Sequence, residues 1–461
     1  MVFNSAAFLF LFLPAAVVLH RVIPGQRPKA VLLGVLSLLF YAFGGFAQVP
    51  VLLACAVWTW LFGLLLSREG GRRGLWCAVA VAGDLALLVL WKYSGFFLGM
   101  LGLAAPAWTQ DAPLGISFFT VPAVSYIADV YRDRTAAEKR PGVLFLYIAF
   151  FPRLLAGPIL QWKQARSEPL GHAVSAEDTA AALRRFIRGL AKKLLLAESA
   201  AAVANGVFSL EGAALSSSLA WLGAFAYCIQ IYYDFSGYSD MAIALGALFG
   251  FTFPENFDHP YTARTLSEFW RRWHMSLNRW FVDYLYIPLG GSRAGLRKTI
   301  RNTLIVFFFT GLWHGAGWTF ILWGLWHGVL VSAERLFPGR VTALERTAPG
   351  RAALHVYTLL AVLLGFVMFR APSAGSACAM IARMFSFGAT LQGAAPAAGS
   401  VLTPARGVFL ALGALGALPV GPKIRACLPE AVADTLALAG LILCVCAMAG
   451  GGFSPFIYQQ F

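Results

Sequence analysis

The sequence predicts an all-α, polytopic integral membrane protein, with roughly 10–13 transmembrane helices plus amphipathic interfacial and re-entrant helices. Its 461 residues are 59% hydrophobic and have a mean hydropathy of +0.70. Only 12% of the residues are charged, whereas a soluble domain carries about 25%. Because a helix needs about 20 apolar residues to cross a bilayer, the many apolar runs of this chain predict one large membrane domain.

The N-terminal part is predicted to supply four spans, at apolar runs near residues 6–23, 30–46, 49–66 and 75–104. No basic segment precedes the first run, so we interpret it as a retained span and not as a cleaved signal peptide. Basic residues between the third and fourth runs, at Arg68, Arg72 and Arg73, predict a cytoplasmic turn.

The middle of the chain mixes apolar and polar segments. Residues 113–131 contain two prolines, a glycine and Asp129, which predicts a broken or re-entrant segment covered by protein. Residues 143–160 predict another span, and the polar residues 163–182 predict a loop. In residues 183–196, basic side chains alternate with large apolar ones, which predicts a basic amphipathic helix on the cytoplasmic surface.

The later apolar runs predict the remaining spans. They lie near residues 198–210, 217–233, 236–251, 299–313, 316–337, 352–371, 407–420 and 431–450. The segment 373–400 is rich in glycine, alanine and serine and gives no clear prediction. No internal repeat is apparent, whereas transporters are often built from inverted repeats.

The net charge of +15 arises from 36 Lys and Arg against 21 Asp and Glu. The basic residues are concentrated in short loops between apolar runs, as the positive-inside rule and attraction to anionic lipid require. We therefore expect membrane lipid, and no nucleic acid, among the partners. The seven cysteines form no CxxC pair and the histidines match no zinc pattern, so no metal site is predicted.

Residues 265–284 fit one amphipathic helix that starts at Thr265, which has capping-box spacing to Glu268. On a helical wheel, the apolar residues fall within an arc of about 80°. They are Phe269, Trp273, Leu277, Trp280 and Tyr284. This pattern predicts a helix in the membrane interface, with arginines on phosphates. His274 lies at the border of the two faces and could face lipid or a protein cavity.

Two further histidines, His314 and His327, lie in an apolar, tryptophan-rich stretch. Ionisable side chains are costly at bilayer depth and often mark functional sites, and imidazole suits proton transfer near neutral pH. On one straight helix the two would be about 20 Å and roughly 140° apart, so they could share a site only if Gly315 and Gly317 break the helix. For each, the competing interpretation is a core histidine bonded to a backbone carbonyl.

An ordered set of motifs carries a family resemblance. Among them are FPRLLAGP at residues 151–158, FWRRWHMSL at 269–277, YLYIPLGG at 284–291 and GLWHGAGW at 311–318. Supporting motifs lie at residues 1–5, 114–119, 233–240 and 454–458. The set resembles the membrane-bound O-acyltransferases (MBOAT), in the branch of alginate O-acetyltransferases of the AlgI type, which is related to the D-alanyl transfer protein DltB.

The resemblance implies an O-acyltransferase that helps to move an acyl group, usually acetyl, onto a hydroxyl of an extracellular or wall polysaccharide such as alginate. The two signature positions of the family map onto His274 and His314, which are 40 positions apart (314 − 274). We expect His314 to act as a general base and His274 to orient the donor or stabilise the oxyanion. His327 lies outside this pair.

The resemblance also implies a single MBOAT-type domain over residues 1–461, with N-terminal spans in 1–104, a catalytic core in 105–337 and C-terminal spans in 338–461. We expect acetyl-CoA as the acyl donor, no metal, and a multi-pass location in the bacterial inner membrane. Separate periplasmic or extracellular acetyltransferase partners are expected to pass the acyl group to the polymer.

The expected cofactor-binding residues are Arg271, Arg272, Trp313 and Asn278. Lys192 and Lys193 are further candidates for CoA phosphates, although lipid phosphates compete for all these cations. Asp234 and Asp240 could tune or hydrate the cavity, or they could serve helix packing or an interfacial role.

Three other functions compete with the acyl-transfer interpretation. They are a transporter with a histidine proton relay, a scaffold in a polysaccharide export complex, and an acyltransferase acting on lipid or protein. One residue departs from the family pattern: Arg153 stands where related sequences are expected to have glutamine, which could alter the acceptor side.

Overall fold

The computed structural model describes residues 1–461 except 69, 111, 211–213, 294, 387–398, 451–455 and 458–461. Its regular secondary structure is helical, with no strand among the described residues, which confirms the all-α prediction. The motif at residues 454–458 lies mostly outside the described residues.

The α-helices follow the apolar runs of the sequence. In chain order they are α1 (Leu13–Val22), α2 (Gln26–Ala42), α3 (Val49–Ser67), α4 (Arg73–Leu88), α5 (Ser94–Met100), α6 (Ile116–Arg132), α7 (Pro141–Ala149), α8 (Phe151–Leu154), α9 (Trp162–Ala165), α10 (Ala176–Ala191), α11 (Glu198–Phe208), α12 (Ser217–Leu248), α13 (Leu266–Arg272), α14 (Met275–Phe281), α15 (Leu296–His314), α16 (Trp318–Leu336), α17 (Pro338–Glu345), α18 (Ala348–Arg370), α19 (Ala374–Met384), α20 (Pro404–Gly416), α21 (Val420–Cys427) and α22 (Glu430–Ala449). Short π-helical segments cover Phe8–Phe12, Val89–Tyr93, Lys192–Ala197 and Val282–Tyr286.

Four of the described helical segments are long and apolar enough to cross a membrane: Phe46–Ser67, Arg73–Met100, Ala348–Arg370 and Glu430–Ala449. Shorter apolar helices, such as Pro404–Gly416, accompany them. The chain is therefore a multi-pass membrane protein. The larger number of spans expected from the apolar runs stays a prediction.

Three sequence-based boundaries were wrong. Residues 113–131 do not form a broken segment, because α6 runs continuously through Pro122 and is almost wholly buried, so packing compensates for the lost backbone bond. The predicted cover by protein is confirmed.

The runs 217–233 and 236–251 form the single helix α12, and α10 begins at Ala176 inside the predicted loop. Within the ambiguous segment 373–400, α19 is helical and residues 387–398 lie outside the described part.

The described chain divides into two compact units. The first contains residues 1–187 and 238–255, and the second contains residues 188–237 and 256–457. The predicted division into N-terminal spans, core and C-terminal spans stays a prediction. The second unit holds an aromatic core in which Trp273 and Trp323 are each 1% exposed, and all three histidines discussed above belong to this unit.

Candidate active site

The segment that carries His274 is not one helix. Helix α13 ends at Arg272 and α14 begins at Met275, so the predicted continuous helix over residues 265–284 is wrong. Between the two helices, His274 adopts φ 45° and ψ 50°, a left-handed conformation that is uncommon for residues other than glycine. Such strain persists only where the surroundings hold it.

A neighbouring stretch of chain supplies the backbone bonds that α13 and α14 lack at the break. The amide of Asp258 donates to the carbonyl of Arg272 over 3.0 Å, and the amide of Met275 donates to the carbonyl of Asn256 over 3.0 Å. Buried backbone groups must find partners, so these long-range bonds allow the helix to end early. Helical periodicity alone could not reveal them.

Three of the five residues of the apolar arc are buried in protein, whereas Trp280 and Tyr284 are half-buried. Phe269, Trp273 and Leu277 are each at most 2% exposed, and Trp273 packs on Phe366 with ring centroids 5.2 Å apart. The predicted start of the helix is confirmed, because the side chain of Thr265 caps it by accepting a hydrogen bond from the backbone amide of Glu268. The prediction that the apolar arc lies in the membrane interface is therefore wrong for Phe269, Trp273 and Leu277.

Asn256 fixes the ring of His274. Its Oδ1 atom accepts from the amide of Ser276 at 3.2 Å and from the Ser276 hydroxyl at 2.9 Å, and it lies 3.1 Å from Nδ1 of His274. A backbone amide can only donate, so this Asn256 atom is the carbonyl oxygen and Nδ1 of His274 carries a proton. Burial lowers the pKa of His274 below its ordinary value, which favours the neutral ring. The lone pair then resides on Nε2.

His314 lies at the C-terminal end of α15, where the chain turns at Gly315 into extended backbone. Its ring centroid is 6.4 Å from that of His274, and both residues are at most 3% exposed. Trp313 packs beside both histidine rings, at 5.0 Å from His314 and 6.1 Å from His274. The fold therefore brings together the two positions that the family resemblance paired.

His327 also reaches this cluster because the helix breaks between His314 and Trp318. The ring of Trp323 lies between the two histidines, 5.1 Å from His314 and 5.5 Å from His327. Among the described residues, neither ring nitrogen of His327 has a hydrogen-bond partner. The expected bond to a backbone carbonyl is thus absent there, and His327 is a buried neighbour of the pair.

Two glycines allow α15 and α16 to pack backbone against backbone. A Cβ atom on Gly324 would lie 2.3 Å from the carbonyl oxygen of Phe307, and one on Gly311 would lie 2.3 Å from that of Phe320. No side chain fits at such distances. The close approach holds the end of α15, and with it His314, against α16.

The four expected cofactor-binding residues occupy different environments. Arg271 is exposed, whereas Arg272 is paired with Glu268 at 2.7 Å. Asn278 donates to the carbonyl of Trp270 at 2.9 Å and so ties α14 to α13. Arg271 and Arg272 line one recess, while Trp313 is buried beside the histidines. A role of these residues toward a donor stays a prediction.

The charge of Lys193 is paired with two carboxylates and is therefore not available to a phosphate. The side chain is buried, and its Nζ lies 2.6 Å from Asp234 and 2.8 Å from Glu198. The second oxygen of Asp234 accepts from the amide of Ile457 at 2.8 Å. Asp234 therefore stabilises a buried ion pair.

Asp240 has a similar structural role within the other unit. Arg185 donates to Asp240 at 2.9 Å and to both oxygens of Glu255 at 2.7 and 2.6 Å. Of the alternatives for the two aspartates, the contacts support helix packing. Among the described residues, no group of three or more His, Cys, Asp or Glu side chains could hold a metal ion.

Sequence reasoning missed Asn256 and Trp323 as parts of the site. Asn256 was visible only as one member of a polar stretch after α12, and nothing local links it to His274, 18 positions away. Trp323 is one of several tryptophans near His314 in the sequence. Its place between two histidines follows from the turn at residues 315–317.

Comparison with known proteins gives a consistent result over most of the chain. A profile of MBOAT, the membrane-bound O-acyltransferase family, matches residues 50–374. The chain is similar to a probable alginate O-acetylase AlgI of Pseudomonas putida, with 40% identity over 84% of this chain and 81% of that protein.

Two relatives that are named for other acceptors share a lower sequence identity with this chain. A peptidoglycan O-acetyltransferase of Helicobacter pylori is 33% identical over 83% of this chain and 80% of its own length. A teichoic acid D-alanyltransferase of Bacillus subtilis is 27% identical over 72% of this chain and 88% of its own length.

Proposed function

Because this chain belongs to the membrane-bound O-acyltransferase family and is an O-acyltransferase, we propose that it transfers an acetyl group from cytoplasmic acetyl-CoA toward a hydroxyl of an extracellular polysaccharide such as alginate. The similarity to probable alginate O-acetylases, at 40% identity over most of the chain, supports the acetyl group and the polysaccharide. The proposed location is the bacterial inner membrane.

The observation that carries this proposal is the buried pair of His274 and His314, with ring centroids 6.4 Å apart. In the proposed reaction, His314 takes the proton of the attacking hydroxyl, and that oxygen forms a bond to the acetyl carbonyl carbon. The carbon–sulfur bond of the thioester then breaks, and the thiolate leaves and takes a proton from His314. A positioned base of this kind contributes about 10²–10⁴-fold.

The tautomer of His274 argues against one of its two expected roles, stabilisation of the oxyanion, whereas orientation of the donor stays a prediction. Since Nδ1 donates to Asn256, the neutral ring has no second N–H for an oxyanion. Nε2 can instead accept a hydrogen bond from a hydroxyl group. We therefore propose that His274 orients the attacking hydroxyl toward His314.

Donor phosphates are proposed to bind at the recess that contains Arg271. Arg264 and Arg271 are exposed there, and the lining also contains the half-buried Arg272 and Glu268 and the exposed Glu345. Because Arg272 is neutralised by Glu268, Arg264 and Arg271 are the stronger phosphate ligands of the set. Separate periplasmic or extracellular partner proteins are proposed to complete the transfer to the polymer.

Acetyl-CoA turnover in membrane vesicles tests the proposal. Vesicles with the wild-type chain, its partner proteins and the acceptor polymer should release CoA and gain polymer-bound acetyl in equal amounts. A histidine-relay transporter releases no CoA, and a scaffold supports the same release with His314→Ala as with wild type. If the acetyl group of acetyl-CoA appears on lipid and not on polymer, the acceptor is a lipid.

A further inference from the structure

Arg153, in α8 of the first unit, is a buried cation without a counter-ion in the described part of the chain. The residue is 5% exposed. Its guanidinium lies 4.8 Å from the centroid of the Tyr147 ring, and among the described residues it makes no hydrogen bond or ion pair. A buried charge that lacks a partner is strongly destabilising, so the arrangement calls for an anion.

The neighbouring carboxylates are engaged elsewhere. Asp129 accepts the amide of Lys163 at 2.8 Å and lies 3.9 Å from Arg132. Glu168 lies 3.1 Å from Nδ1 of His172. The Tyr147 hydroxyl donates to the carbonyl of Leu160 at 2.9 Å. Among the described residues of the first unit, no carboxylate forms an ion pair with this guanidinium.

Arg153 lines a cavity of about 110 Å³. Aromatic side chains form its walls, including Tyr147, Phe150, Trp162 and Phe251. The ring centroids of Phe150 and Phe251 are 4.8 Å apart, so packing holds these walls. A cavity of this size accommodates a small group. Besides the guanidinium, its lining contains the polar residues Gln164, Ser167, Glu168 and Thr252.

We propose that this cavity binds the phosphate group of a phosphorylated ligand, with Arg153 as the anion-binding residue. The planar fork of a guanidinium presents paired N–H donors that match phosphate oxygens. The burial of Arg153 strengthens such a bond relative to one in water. The phosphate can belong to an anionic lipid or to a soluble molecule. The site goes beyond the proposed acyl transfer, which uses residues of the second unit only.

The purified, delipidated full-length chain tests this site by thermal unfolding at fixed ionic strength. The probes are inorganic phosphate, phosphatidylglycerol in mixed micelles, and diacylglycerol as a lipid without phosphate. We expect phosphate or phosphatidylglycerol, but not diacylglycerol, to raise the wild-type melting temperature. A rise with phosphatidylglycerol alone identifies a lipid, and a rise with inorganic phosphate identifies a soluble source.

Arg153→Gln should raise the half-saturating concentration of the active probe by at least about tenfold. The matched control is Arg166→Gln, which removes an equal charge from a surface ion pair with Asp133 and should leave the probe's effect unchanged. Without probe, Arg153→Gln should be at least as stable as wild type, since it removes an uncompensated charge. An equal response of wild type and Arg153→Gln, or no response of wild type, would overturn the proposal.

Discussion

Asn256 accepts three hydrogen bonds through one side-chain oxygen, and one of them, 3.1 Å long, comes from Nδ1 of His274. This bond fixes the tautomer of a histidine that lies in a left-handed break between two helices. It also leaves Nε2 as the acceptor of that ring. The chemistry proposed for His274 therefore depends on a residue outside its own helix.

Asn256→Ala should lower acetyl transfer by about tenfold or more, because the ring loses its orienting partner and the buried Ser276 amide loses its acceptor. Asn256→Asp keeps the acceptor and should retain more activity than Asn256→Ala. Acetyl transfer per unit of membrane-inserted protein is the measurement. The matched control is Asn205→Ala, which removes an exposed bond to Arg370. An equal loss in the Asn205→Ala control would show a general effect of amide removal.

His327→Leu should retain activity within about fivefold of wild type and should not lower the melting temperature. A buried imidazole without hydrogen-bond partners costs free energy, so an apolar side chain of similar size removes that cost. The assay pairs acetyl transfer with thermal unfolding. Loss of activity comparable to that of a His314 variant would show that His327 takes part in the chemistry.

Gly324→Ala should lower the free energy of unfolding by about 1–3 kcal/mol, because its Cβ would meet a backbone carbonyl at 2.3 Å and force α15 from α16. Gly317→Ala is the matched control, since its nearest contact would be 3.6 Å and its φ of −165° suits any residue. Denaturant unfolding of the two variants gives the comparison. Equal free energies of unfolding for Gly324→Ala and Gly317→Ala would show that α15 and α16 can move apart without loss of stability.

Asp234→Asn should destabilise the protein by about 3–5 kcal/mol, because it removes a partner of the buried Lys193. The double variant Lys193→Met with Asp234→Leu should recover part of this loss, since it removes the buried charge as well. A double-mutant cycle in thermal unfolding, made from Lys193→Met, Asp234→Leu and their double variant, measures the coupling. If Lys193 instead bound donor phosphates, Lys193→Met would raise the KM for acetyl-CoA at unchanged stability.

The hydrophobic runs of the sequence were sufficient for the fold class. The pairing of His274 with His314 came from the family resemblance that the ordered motifs carry. The sequence was not sufficient to predict the helix break at His274, because that break depends on long-range backbone hydrogen bonds with Asn256 and Asp258. Likewise, the local sequence places Lys193 on the basic face of a helix. In the structure Lys193 is buried, because Asp234, 41 positions away, pairs with its charge. Local patterns contain no information on such partners.

The central claim, that His314 is the general base, is tested most directly by polysaccharide O-acetyl content at matched membrane abundance. Cells with His314→Ala should lose about 10²–10⁴-fold in acetyl-transfer rate, whereas cells with His327→Ala should keep most of the acetylation. Wild-type acetylation in the His314→Ala strain would contradict the account and would favour a scaffold or transporter.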